Sequence, residues 1–357
     1  MTTSPGPRLD PAELAERVRE VHRDGTVVDV HTHTSGYLPG YAARVFRWIY
    51  RRTMPADLPL AVAREGEVHA LVTKAIGDPM ATRWWARSPW SAVEAQLGDI
   101  EAETGRAGGR LVRTAGELRQ ARAAGELAVM LGLEGADAIG RRLDRLDQLK
   151  ARGVRLIGLI HLGHNQIGTT CLPWQEYIGA LRIGRSRPLG LTSFGRDVVR
   201  RMNALGLVID LAHADSDTLR DVLAVSTQPI VVSHTGARSL DDFARYLGDD
   251  EVRAVARAGG LIGLWPYLGF RSDGRPRGVQ DLPDLVRHAR HLAAIAGAEQ
   301  LCLGTDLNGL PGVMAGYRGE QDVPLITAAL LEGGFTVAEV QGILGGNFLR
   351  LLEELDA

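Results

Sequence analysis

Eight short apolar runs recur along the 357-residue chain, and stretches with helical patterning lie between them. The runs are TVVDV (26–30), HALVT (69–73), LAVMLGL (127–133), VRLIGLI (154–160), GLVIDL (206–211), PIVVS (229–233), GLIGLW (260–265) and LCLGT (301–305). Continuous apolar character, rather than strict alternation, marks strands buried on both faces, as in parallel sheets covered by helices. The helical stretches include 141–153, 192–206, 215–226 and 249–260. The second and fourth end at glycine, and Thr192 and Asp249 are their expected N-terminal caps. Eight strand–helix units predict a (β/α)8 TIM barrel, with an open doubly wound sheet as the alternative that periodicity alone leaves standing.

A barrel of this kind accommodates the length in one domain, so a single domain over 1–357 is expected, without linker, low-complexity tract or solenoid repeat. Two segments break the rhythm. Residues 37–61 read as an insertion after the first strand with its own short amphipathic helix. Residues 165–190, after the fourth, are rich in Gly, Pro and aromatics, and long loops of this kind usually carry function. The formal net charge of −2, from 41 basic and 43 acidic residues, argues against nucleic acid or an anionic membrane as partner. Lys74 and Lys150 are the chain's two lysines, and its arginines are spread along the sequence. Cys171 and Cys302 belong to no CxxC pattern and suit a reducing compartment. The sequence opens without a basic region followed by an apolar run, and no apolar stretch approaches the ~20 residues of a membrane span. The expectation is a soluble, cytoplasmic protein.

The residues that close the strands carry the functional signal. Strand one ends at His31 and His33, which at i and i+2 share one side. Glu134 follows the third run, His161 the fourth with His164 close behind, His213 the fifth, His234 the sixth, Tyr267 the seventh and Asp306 the eighth. In a barrel these ends converge on one mouth, and His, Glu and Asp meeting there form a ligand set for zinc or a similar divalent ion. One histidine at a strand end is more often a hydrogen-bonded structural residue, and a lone Glu134 or Asp306 equally well caps a helix. The coincidence of five strands favours a metal site. His22 and His69 stay with a structural reading, the pair His288 and His291 with a solvated face of an Arg-rich helix, and Lys74 with structural ion pairing.

These residues also match a family pattern. The chain resembles the membrane (renal) dipeptidases, zinc metallopeptidases built on a (β/α)8 barrel within the amidohydrolase superfamily. The match is strongest from GLTSFGRDVVRRMNALGLVIDLAHADSDTLRDVLAVSTQPIVVSHTGARSL (190–240) onward, in its Asp-Leu-x-His and Val-Val-Ser-His-x-x-x-Arg order. It continues through LCLGTDLNG and LLEGGFTVAEVQGILGGNFLRLL, and Glu134 in LEG and His161 in LIH agree with it. It spans most of the chain and is weak over 37–126.

The resemblance implies that Glu134 bridges two Zn2+ ions, that His31 binds one of them, and that His213 with His234 binds the other. It implies further that His161 stands by the substrate carbonyl, that Arg238 holds the substrate's carboxylate, and that Asp306 handles the proton of the bridging water. Tyr267 is a candidate substrate contact at the same mouth. The family reads His-x-Asp at strand one where this chain reads His31-Thr32-His33, so His33 takes the aspartate's place as ligand and the site loses one negative charge. The segment LVTKAIGD after strand two also departs from the family composition. The expected activity is hydrolysis of dipeptides or similar short amides with a free carboxylate, by attack of a metal-bridging hydroxide. A homodimer is an expectation carried by the resemblance alone. Two other readings stand beside it: recruitment of the barrel to isomerisation, decarboxylation or lactone hydrolysis, and a non-catalytic binding protein.

Overall fold

The computed structural model describes residues 10–35, 58–82, 88–177, 189–271, 274–309 and 312–356. Most of the insertion expected at 37–61, and 178–188 of the loop expected at 165–190, lie outside the described residues. Among the described residues there are twelve strands: β1 (Val28–Thr32), β2 (Ala70–Ile76), β3 (Gly109–Val112), β4 (Leu127–Glu134), β5 (Val154–Gly158), β6 (Val208–Asp210), β7 (Ile230–Thr235), β8 (Leu261–Leu264), β9 (Tyr267–Phe270), β10 (Pro276–Gly278), β11 (Leu301–Leu303) and β12 (Gly312–Val313). Parallel pairing runs β1–β2–β4–β5–β6–β7–β8–β11 and returns to β1 through Asp29 beside Leu303. This closes a (β/α)8 barrel, and its eight strands are the eight apolar runs of the sequence.

Why the runs are apolar throughout is evident from the two layers they fill. Inward side chains Val28, Val30, Val72, Met130, Leu156, Val208, Val231, Leu261 and Cys302 form one core with Phe348, Leu351 and Leu352 of the last helix (Asn347–Asp356). Outward side chains of the same strands pack beneath the surrounding helices as a second, larger core. One end of the barrel is therefore filled by side chains, and polar residues collect at the other.

β3 was not among the expected strands. It pairs only with the first half of β4, from Gly109 beside Leu127 to Val112 beside Met130, and β5 takes over from Leu131. β9, β10 and β12 form a small antiparallel sheet that brings Tyr267 to the mouth. Helix ends largely follow the sequence: Thr192 caps Ser193–Leu205 by accepting from Gly195 N–H, and Gly206 ends it in the left-handed conformation. Asp249 is the first residue of the helix Asp249–Arg257 rather than its cap; Gly248 precedes it and donates its N–H to Glu251.

The pair His288 and His291 also departs from expectation. His291 is partly exposed and touches Asp249 and Ser239, but His288 is only 1% exposed. Its ring meets Tyr246 edge-on, and its Nδ1 accepts the Ala237 N–H at 3.0 Å. Burial pulls the imidazole down from 6.5 to about 4. The folded protein keeps His288 neutral while an unfolded chain protonates it, so its contribution is complete above pH 6.5 and is lost as pH falls toward 4. The loss amounts to about 3 kcal/mol. Urea unfolding of His288→Gln, which keeps an acceptor for Ala237, will show a shallower fall in stability between pH 6.5 and pH 4.5. An unchanged pH dependence would remove His288 from the account.

Candidate metal centre

The mouth collects its polar side chains because the strands stop being regular there. Register shifts fall between Asp29 and Thr32 on β1 and between Val232 and Thr235 on β7, bracketing His31 and His234. Such irregularities re-aim side chains. His213 and Asp306, just past β6 and β11, adopt φ of 71° and 56°, which non-glycine residues hold only when surrounding bonds enforce it. The His213 carbonyl accepts from Cys171 N–H and the Thr170 hydroxyl, and the Asp306 N–H donates to the His31 carbonyl. Two glycines let β7 sit deep: a Cβ on Gly263 or Gly304 would lie 1.7 or 1.9 Å from the Ser233 carbonyl oxygen.

Glu134, at the end of β4, is the centre of the cluster. Its Oε1 lies 3.2 Å from His213 Nε2, 3.3 Å from His31 Nε2 and 3.9 Å from His234 Nε2. Its Oε2 lies 3.2 Å from His33 Nε2 and 3.5 Å from His161 Nε2. Asp306 Oδ1 is 3.4 Å from His33 Nε2 and 3.7 Å from His31 Nε2. Three overlapping sets hold their ligand atoms within 4.8 Å of one another: His31, His33 and Glu134; His31, His234 and Asp306; Glu134, His161 and His213.

The chemistry of this donor set fits divalent cations. Glu134 Oε1 is buried and has no hydrogen-bond donor, although imidazole nitrogens crowd it. A cation satisfies that oxygen and those nitrogens together. Burial, then the charge of Arg245, hold His213 well below the ordinary histidine value; burial, His31 and Arg245 do the same for His234. Both rings are thus neutral, with lone pairs available. His33 differs: burial opposes its imidazolium, but bonds to Asp306 and Glu134 prevail and push it up to about 9. A cation binding there displaces that proton.

Polar partners behind the rings fix their orientation, as outer partners of ligating histidines do. His33 Nδ1 donates to the Lys74 carbonyl at 3.0 Å. His31 Nδ1 and His234 Nδ1 lie 2.8 and 3.0 Å from the Ser233 hydroxyl. His161 Nδ1 is bonded to the Asp78 carboxylate. Lys74 forms a buried ion pair with Asp210, in keeping with the structural role read for it.

The structure thus brings His31, His33, Glu134, His161, His213, His234 and Asp306 together. It does not bring Arg238 to them. The polar contacts of Arg238 are the Ala244 carbonyl at 3.4 Å and the Glu251 carboxylate at 3.8 Å, and it lines a neighbouring cavity of about 440 Å³ with Cys171, Asp215, Phe243 and Arg277. The guanidinium that meets the cluster belongs to Arg245, which is 3% exposed, 2.7 Å from His234 Nε2 and stacked over Trp265. Tyr267 lies one ring further out, stacked on Trp265, whose edge meets His234. Arg245, Asp78, Asp210 and Ser233 went unnoticed in the sequence. Asp210 and Ser233 sit beside strand-end ligands, so they were in reach of the same logic; Arg245 lies in an irregular loop with no periodicity to mark it.

A metal-dependent hydrolase on a (β/α)8 barrel is the class to which this fold and donor set point. The sequence pattern of the membrane dipeptidase family (Peptidase family M19) matches residues 15–357, and the chain belongs to that family. Among solved structures, the probable dipeptidase PvdM from Pseudomonas aeruginosa superposes with a TM-score of 0.81 at 21% identity, covering 97% of this chain and 99% of that one. A metallopeptidase from Rhodobacter sphaeroides, liganded with a phosphinate mimic of the dipeptide L-Ala-D-Ala, gives 0.74 at 25% identity, covering 92% and 99%. An amidohydrolase from Pseudomonas aeruginosa gives 0.74 at 21% identity, covering 95% and 98%.

Proposed function

We propose that the protein hydrolyses the amide bond of dipeptides, or of similarly short amides with a free carboxylate, using two divalent ions, zinc foremost. The observation that carries this reading is Glu134, a buried carboxylate whose two oxygens face different histidines while Oε1 lacks any donor. Glu134 would be shared by both ions, with His31 and His33 on one side and His213 and His234 on the other. Bound there, the ions supply an activated water and polarise the scissile carbonyl.

The chain's own groups do the rest. Asp306, beside His33, accepts the proton of the attacking water and returns it to the leaving amine. His161, held through Nδ1 by Asp78, keeps Nε2 toward the reacting carbonyl and stabilises negative charge developing on its oxygen. Arg245 takes the carboxylate-binding role that the resemblance implied for Arg238, because its guanidinium is the one that lies against the cluster. A carboxylate clamp so close to the ions favours dipeptides over longer chains. Occupancy of the Rhodobacter sphaeroides relative by a mimic of L-Ala-D-Ala recommends testing both configurations at the second residue.

The test is a screen of L-L and L-D dipeptides with Zn2+, Mn2+ and Co2+, with metal content measured in the same samples. Amine release with about two ions per chain is expected. Bound ions with no release from any dipeptide would transfer the barrel to another reaction.

A further inference from the structure

The cavity of about 440 Å³ beside the metal centre belongs to the same mouth. Loops that carry the centre also supply its lining. Cys171 donates its N–H to the His213 carbonyl at 2.8 Å, Asp215 lies two residues past His213, and Ala244 directly precedes Arg245. The charged groups around this space differ in what already occupies them. Asp217 is paired with Arg220 at 2.8 Å, and Asp242 is exposed. Asp215 caps the helix Ser216–Val225 by accepting the Thr218 N–H at Oδ1, and its Oδ2 is buried away from solvent. Arg238 leans on the Ala244 carbonyl and the Glu251 carboxylate.

Arg277, on β10, is held differently. Among the described residues it pairs with no carboxylate, and its Nε is buried without a hydrogen-bond partner. Asp241, which accepts the N–H of the next residue, Gly278, is itself paired with Arg271. What holds Arg277 is the Phe243 ring, whose centroid lies 4.8 Å from the guanidinium carbon. Stacking covers one face of the planar cation and leaves its in-plane N–H donors, a fork that matches a carboxylate. Arg245 is held in the same manner, 5.0 Å from the centroid of Trp265. Phe243 and Trp265 are stacked in turn, with 17° between their planes. One aromatic cluster therefore carries two guanidiniums, one against the metal cluster and one at the cavity.

We propose that Arg277 determines specificity by binding a carboxylate on the substrate's side chain, so that the preferred substrates are dipeptides whose second residue is acidic. Arg245 takes the main-chain carboxylate of that residue, Arg277 takes its side-chain carboxylate within the cavity, and Arg238 adds positive charge there. This inference rests on the dipeptidase reading above and names its substrate class.

The experiment measures kcat and KM of the metal-loaded, full-length protein on alanyl dipeptides whose second residue, L or D, is Asp, Glu, Asn, Gln, Ala or Lys. Glu-Ala, with the acid in first position, is the control for order. The better of the Asp and Glu substrates should exceed its own amide counterpart, Asn or Gln, by about tenfold or more in kcat/KM, the separation that hydrogen bonds to a charged group can give. Glu-Ala should gain no such advantage over Ala-Ala. Arg277→Met, which keeps an apolar contact with Phe243, should cost that acidic substrate about tenfold or more, chiefly in KM, and the neutral dipeptides less than about threefold. Arg277→Lys keeps the charge without the fork, should retain part of the preference, and carries the test if the methionine variant does not fold. Arg277→Glu should move the preference toward Lys. Acidic and amide dipeptides cleaved alike, a preference for acid in first position only, or equal losses on acidic and neutral substrates in the Arg277 variants overturn the inference and leave the dipeptidase reading intact. Bound ions with no release from any dipeptide overturn that reading itself.

Discussion

Glu134→Gln will give a folded protein that no longer retains divalent ions and releases no amine above the buffer background. The glutamine is isosteric but removes the carboxylate charge that Oε2 places 3.2 Å from His33 Nε2, so melting in the presence of chelator should fall by several degrees while the protein remains folded. Metal retention responds quite differently. Among the described residues, Glu134 is the one carboxylate within reach of His31, His33, His161, His213 and His234 together. Its amide cannot bridge two cations, so the loss should exceed the roughly 10–100-fold that outer partners of metal ligands are worth. Elemental analysis after dialysis and a chelator-phase melting curve check both halves. Retention of two ions by the variant would move the bridge elsewhere.

Arg245→Met should separate substrates by charge. Methionine preserves an apolar stem over Trp265 but removes the buried guanidinium. Losing one partner of a buried charged pair costs about 2–5 kcal/mol, so kcat/KM for dipeptides with a free carboxylate should fall about 100-fold or more. The same dipeptides as C-terminal amides should lose less than about tenfold, because they never used the charge. Arg238→Met is the control: its side-chain polar contacts among the described residues are with Ala244 and Glu251 rather than with the histidines, so it should not reproduce the discrimination. If both substrate classes suffer equally in the Arg245 variant, the guanidinium serves the histidines and not the substrate.

The barrel was legible because burial on both faces leaves an unbroken apolar run, and eight of those stand out from the segments between them. The ligand cluster was legible for a related reason. A His, Glu or Asp directly after such a run is carried to the mouth by strand geometry, whatever the loop beyond it does. β3 escaped notice because GRLV is four residues long, largely exposed, and pairs with only half of a strand. His288 was misread because an Arg-rich helix suggests a wet face, whereas Tyr246 and the Ala237 backbone, both distant in sequence, cover it. Arg238 and Arg245 illustrate the limit most directly. Both follow His234 in one loop, and only the path of that loop, with Phe243 and Tyr246 anchored beside Trp265, decides which one meets the cluster.

The carbonyl of Ser233, lodged against Gly263 and Gly304, ties the centre to the barrel wall more tightly than any loop does. A single methyl at either glycine would press on the residue whose hydroxyl steadies His31 and His234, without touching the mouth itself. Changes in what the protein accepts as substrate are therefore open to the loop that carries Arg245 and to the small sheet that carries Tyr267. The wall beneath them leaves almost no room for variation, and a lineage of such proteins can diversify its choice of substrate far more freely than its hold on metal.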